Sequence, residues 1–242
     1  NQKDVAGKAA PLSSSQITLQ SSFEGWDFKY EWFMDEKYRE ADICPSGYPK
    51  LQSLGDFSTI PSCAVWDGKT DTVWSGSGTE EDPYLITTAE ELAGIAERVS
   101  EGITFFGIYF KLTNDIILND NYEAFLYWQH GAIKWTPIGN RFNTFQGTFD
   151  GNGYAIIGLY INTTDMYQGL FGHLLSGTIK NLGIKDSYIK GGNYTGGIVG
   201  SVSSGKITKC YNTGTVIGLT SPTGGIAGDI SSNSQVSRCS NT

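Results

Sequence analysis

The sequence predicts an all-β chain whose C-terminal half is a right-handed parallel β-helix, a stacked solenoid. Three observations predict it. The first is a repeat: QGLFGHLLSGTIKNLGI around Gly172 returns as TGGIVGSVSSGKITKCYNTGTV around Gly200. It appears again as TGGIAGDISSNSQVSRCSNT around Gly228. Gly172, Gly200 and Gly228 stand 28 residues apart, as do Leu170, Ile198 and Ile226. The second is that the repeats hold short alternating runs with no helical period, so each reads as one coil. The third is composition: 31 glycines and 13% aromatics with only 17% charged residues fit many short strands and tight turns. One coil cannot bury its own apolar side, so the coils must stack.

The repeat also orders the finer elements. Ile179, Ile207 and Val236 recur after the glycines, followed by Leu182, Cys210 and Cys239. The last interval in each set is 29 residues, which places one extra residue in a turn of the third coil. Upstream, GTFDGNGYAIIGLYI from Gly147 to Ile161 reads as the coil that begins the stack. Its turn is Asp150-Gly-Asn-Gly, and Ile157, Leu159 and Ile161 are expected inward. Before it, residues 88–101 form a helix with Leu92, Ile95, Ala96 and Val99 as its apolar stripe. Thr88 and Glu91 supply a capping box. A single amphipathic helix ahead of a solenoid is expected to cover the open apolar end of the first coil. Tyr109 to Leu118 supplies a strand that sets Tyr109, Lys111 and Thr113 against Phe110 and Leu112.

The N-terminal segment has no repeat and is dense in aromatics between Phe23 and Leu51. The organisation expected is an N-terminal extension over 1–55, a linker over 56–65, a capping region over 66–146 and the coils over 147–242.

These residues carry a resemblance. Trp74 to Thr79 (WSGSGT), Tyr84-Leu-Ile, the helix TAEELAGIAERV, then YFKLTNDI, WTPIG, FQGTFDGNGYAIIGLYI and GLFG…GTIKNLGI together resemble bacterial surface proteins with GLUG repeats. The same repeats occur in the non-catalytic region of IgA-protease-like surface proteins. The resemblance covers roughly residues 66–242 and implies a secreted or cell-surface module. It also implies that FEGWDFKYEWFMDE…GYPKL resembles the closing segment of a preceding module, which would make neighbouring modules of the same polypeptide partners. Alternatively, that segment packs on the helix of its own chain. The chain departs from the family pattern by inserting residues 119–134, NDNYEAFLYWQHGAIK, before WTPIG.

A net charge of −8 disfavours a nucleic-acid or polyanion partner, and no run is long and apolar enough for membrane insertion of this segment. Two histidines and no His-Glu-x-x-His leave no protease metal site, and no cofactor is implied. Asp150, Asp165, Asp186 and Asp229 fall at different places in the repeat and read as turn and cap carboxylates, so no catalytic residue is assigned. Cys210 and Cys239 read as small inward rungs. Cys44 and Cys63 flank the linker and are the disulfide candidates.

The function expected is a non-enzymatic surface module, an adhesin or stalk displaying loops to a glycan or a host surface protein. The alternatives are a carbohydrate-active β-helix enzyme, either a polysaccharide lyase or a glycosidase, and a purely structural spacer. For direct ligand contact the candidates are Tyr122, Tyr127, Trp128 and His130 in the insertion, where flat rings lie beside polar edges.

Overall fold

The computed structural model describes residues 66–119, 132–231 and 233–242. The N-terminal extension with Cys44, the linker with Cys63, and the insertion residues Tyr122, Tyr127, Trp128 and His130 lie outside the described residues. The solenoid belongs to a unit spanning Val65–Thr242.

The first circuit comprises β1 (Tyr84–Ile86), α1 (Ala89–Ser100), β2 (Tyr109–Leu112) and β3 (Ile116–Ile117). The second holds β4 (Thr148–Asp150), β5 (Ala155–Ile157) and β6 (Tyr160–Asn162). The third is β7 (Phe171–Leu175), β8 (Thr178–Lys180), β9 (Gly183–Lys185) and β10 (Tyr188–Gly191). The fourth is β11 (Thr195–Gly196), β12 (Val199–Ser203), β13 (Lys206–Thr208), β14 (Tyr211–Asn212) and β15 (Thr215–Gly218). The last is β16 (Thr223–Gly224), β17 (Ala227–Ile230), β18 (Gln235–Ser237) and β19 (Ser240–Asn241).

β1 pairs in parallel with β2 across α1, and from β2 onward the strands pair in parallel with their counterparts in the next circuit. The longest ladder runs β1-β2-β4-β8-β13-β18, and another runs β3-β5-β9-β14-β19. Three shorter ladders, β6-β10-β15, β7-β12-β17 and β11-β16, complete the coil. A parallel β-solenoid, with one helix among the described residues, is therefore the fold.

Register turns the repeat into columns. Phe110, Phe149, Ile179, Ile207 and Val236 are successive partners; the first four are fully buried and Val236 packs against the same core. Leu170 and Ile198 are fully buried and Ile226 packs against the core, each one residue before the partners Phe171, Val199 and Ala227. The 28-residue glycine follows from crowding. A Cβ at Gly200 would lie 2.6 Å from the Gly172 carbonyl oxygen and 2.7 Å from that of Tyr194. The extra residue of the last circuit lies in the turn between Ile230 and Gln235, since Val202 pairs with Ile230 but Lys206 pairs with Gln235.

The helix forms as its residues dictate. The Thr88 hydroxyl accepts from the Glu91 amide, and the Glu91 carboxylate accepts from the Thr88 amide, closing the capping box. Leu92, Ile95, Ala96 and Val99 are buried in one cluster with Ile86, Phe110 and Leu112 of the first circuit. The Trp74 indole donates to the Glu91 carbonyl at 2.9 Å, tying the preceding loop to the helix.

Three details differ from the sequence reading. The parallel ladder begins at Tyr84 rather than at Gly147, because β1 and β2 pair across α1 and β2 then pairs with β4. The strand expected over Tyr109–Leu118 is two strands: the chain leaves the ladder after Leu112 and resumes at Ile116. Ile157 is only half-buried; its neighbour Ile156 enters the core beside Ile116 and Ile184. Gly158, at φ +72°, then turns a corner, so Leu159 and Ile161 point inward without continuing one alternation.

Both cysteines of the coils are free. Cys210 is buried and Cys239 is half-buried in the equivalent place. Burial pushes the Cys210 thiol up to about 12, which keeps it protonated.

Candidate functional site

The four carboxylates weighed in the sequence occupy four different places on the coil. Asp150 ends β4 on the longest sheet, and Asp229 lies in β17. Asp165 sits in the turn after β6, accepting from the Thr163 hydroxyl at 2.8 Å. Asp186 occupies the corner between β9 and β10, at φ +47°. These positions fall on different strands and corners of the coil. Among the described residues, no three His, Cys, Asp or Glu side chains gather as metal ligands.

Asp229 does belong to a column, one that the sequence reading missed. His173, Ser201 and Asp229 are register partners on β7, β12 and β17. The signal was present: each follows a repeat glycine by one residue, at 28-residue spacing. Residue types alone suggest nucleophilic catalysis, but the geometry does not assemble it. A triad needs the carboxylate on the imidazole Nδ1. Here Asp229 accepts from the Ser201 hydroxyl at 3.2 Å, and Asp229 lies two strands from His173, roughly 9–10 Å. His173 Nε2 bonds the Ser203 hydroxyl at 3.0 Å, while its buried Nδ1 has no partner among the described residues. The imidazole is stacked on Tyr167 at 5.7 Å, and Tyr167 packs on Tyr194 at 4.8 Å. Burial holds the His173 imidazole below the usual range, with Asp229 partly opposing the shift. This face is a tightly packed polar and aromatic stack.

The second constellation lies on the outward face of the longest sheet. Lys111 of β2, Asp150 of β4 and Lys180 of β8 are successive register partners, a cation–anion–cation row. Lys180 Nζ lies 3.3 Å from Asp150 Oδ2. The Asn181 side-chain amide and the Asn152 backbone amide both donate to Asp150 Oδ1, at 2.9 and 2.8 Å. Burial raises the Asp150 carboxyl, but these hydrogen bonds and Lys180 outweigh it and leave the group below the ordinary carboxylate range.

The loop from Ser75 to Pro83 folds over one end of this row. Ser75 bridges Leu85, the Gly78 carbonyl accepts from the Tyr109 amide at 2.9 Å, and the Tyr109 hydroxyl donates to Glu80 at 3.4 Å. Between loop and sheet lies a cleft of about 170 Å³, lined by Glu80, Glu81, Tyr109, Lys111, Asp150 and Lys180. Thr148 reaches the same cleft from β4. Sequence spacing does not reveal the cleft, because Lys111, Asp150 and Lys180 lie 39 and 30 residues apart.

No family model matches the chain, so the likeness to GLUG-repeat proteins rests on the motifs quoted above. Over 116 residues, 47% of this chain, it is 40% identical to a protein of Evansella cellulosilytica provisionally named a Gly-rich membrane protein. That stretch is 12% of the relative. Over 146 residues, 59% of this chain, it is 33% identical to halomucin of Haloquadratum walsbyi, of which the match is 2%. The chain thus spans a small fraction of the length of these relatives. A solved structure from Bacteroides ovatus, provisionally named an immunoglobulin A1 protease, is 17% identical with a TM-score of 0.34, covering 69% of each chain.

Proposed function

We propose that the chain is a non-enzymatic module of a secreted or cell-surface protein, a rigid platform whose outward faces and loops meet ligands outside the cell. The observation that carries this reading is the uninterrupted parallel ladder over one core. It fixes outward columns of polar side chains in place. Loops on such a scaffold are held at low entropic cost, which is what recognition needs. The names of the two relatives, a membrane protein and halomucin, support a location at or beyond the cell surface. Glycans or host surface proteins are the partners proposed, with neighbouring modules of the same polypeptide. Tyr122, Tyr127, Trp128 and His130 remain proposed contact residues.

The test is a binding and turnover panel on the purified chain, using arrayed glycans, host surface proteins, polysaccharides and peptides. The expected result is saturable binding without product formation. Turnover abolished by substituting one of Asp150, Asp165, Asp186 or Asp229 overturns the non-enzymatic reading. Absence of all binding overturns the display role in favour of a spacer.

A further inference from the structure

We propose that the cleft between the Ser75–Pro83 loop and the longest sheet binds a saccharide ring bearing a single carboxylate, a uronic-acid residue. The inference deepens the display reading and rests on it.

Lys111 carries the argument. It is half-buried and lines the cleft, and its ammonium has no ion pair or hydrogen bond among the described residues. Withdrawing an ammonium from water without a partner is unfavourable, and an arriving anion offsets that cost. The neighbouring charges do not fill the role. Asp150 faces Lys111 in register, but its two oxygens are already engaged by Lys180, Asn181 and the Asn152 amide. Glu80 and Glu81 are exposed on the loop at the rim.

The remaining lining selects the rest of the ligand. Glu80, Glu81 and the Thr148 hydroxyl are acceptors that suit a ring rich in hydroxyl donors. Tyr109 adds a partly buried ring beside them, the type of surface on which sugar CH groups pack. A simple anion would use Lys111 and meet repulsion from the two glutamates; a hydroxylated ring with a single carboxylate uses both sets. The cleft, about 170 Å³, is smaller than the roughly 300–1,000 Å³ of drug-sized pockets, so it takes one ring. The neighbouring outward row of Tyr109, Thr148 and Thr178 runs on to Lys206, which is exposed and offers a second cation farther along the sheet.

The experiment is titration calorimetry of the whole 242-residue chain with a short oligouronate, the same oligosaccharide fully methyl-esterified, and a neutral oligosaccharide carrying one sulfate. The expected result is that the oligouronate binds, that esterification weakens binding by about tenfold or more, and that Lys111→Met does the same. Lys111→Arg should retain binding, and Lys111→Met should leave the melting temperature unchanged, since Lys111 has no partner to lose. Equal binding of the ester, an unaffected Lys111→Met variant, or no binding at millimolar oligouronate overturns the proposal. A sulfated sugar that binds as well as the uronate overturns the carboxylate assignment. If the cleft fails while other glycans or proteins still bind, the display reading stands; if nothing binds at all, that reading falls with it.

Discussion

Leu92→Asp tests whether α1 is the cover of the stack. Leu92 is fully buried among Ile86, Ile95, Phe110 and Leu112, where helix and first circuit share one core. Removing such a leucine to alanine costs about 2–5 kcal/mol through lost transfer and cavity formation. Placing an unpaired carboxylate there adds several kcal/mol more, or drives the group to take up a proton. Domain stabilities are about 5–15 kcal/mol, so the aspartate consumes most or all of the margin. In a solenoid the loss spreads, because the first circuit is stabilised only by its neighbours on either side. Thermal unfolding followed by far-ultraviolet circular dichroism measures the effect. Leu92→Ala should lower the midpoint by roughly 4–20 °C, and Leu92→Asp should abolish the transition or move it further. Glu97→Ala, on the exposed face of the same helix, should stay within about 0.5 kcal/mol of the parent. A Leu92→Asp chain that melts where the parent does would show that the helix does not cover the core.

Two further outcomes follow from contacts elsewhere. Gly94→Ala should destabilise the protein although alanine is the better helix former by about 1 kcal/mol, because its Cβ would meet the Asp71 carbonyl oxygen at 1.8 Å; a higher melting temperature would refute the close approach. His173 titrates lower in the fold than in the unfolded chain, so the unfolded chain binds the proton first. Its contribution is complete above the unfolded value of about 6.5 and is lost as pH falls from there through the folded value. His173→Gln should therefore flatten the stability profile in that window, and an unchanged profile would refute the burial argument.

The sequence reads clearly wherever one coil repeats another. Leu170, Ile198 and Ile226 share a column because the same side chain must meet the same neighbours every circuit, and that constraint leaves a period in the sequence. The helix is legible for a local reason: its capping box and apolar stripe lie within residues 88–99 and need no distant partner. The His173, Ser201 and Asp229 column was equally available at 28-residue spacing, since register in a parallel stack transmits any residue type, polar ones included.

What only the tertiary structure decided comes from closing the coil. Asn181, Lys209 and Arg238 all adopt a left-handed corner, at φ 53°, 54° and 55°, although lysine and arginine carry no preference for it. The neighbouring circuit dictates the corner and outweighs the local cost of about 1–2 kcal/mol per residue. The same closure resets alternation at Gly158, so that Ile156 rather than Ile157 reaches the core. Asn212 sits fully buried in a column that begins with Ile116, Ile156 and Ile184. It is tolerated there because its amide donates to Asn241 Oδ1 at 2.8 Å and its oxygen accepts from the Gly214 amide at 3.0 Å. The row of Lys111, Asp150 and Lys180 is tertiary for the plainest reason: the first two circuits differ in length from the later ones, so no constant spacing records it. Periodic burial writes itself into the sequence; corners, parity and cross-circuit charge are settled only when the stacked strands choose their register.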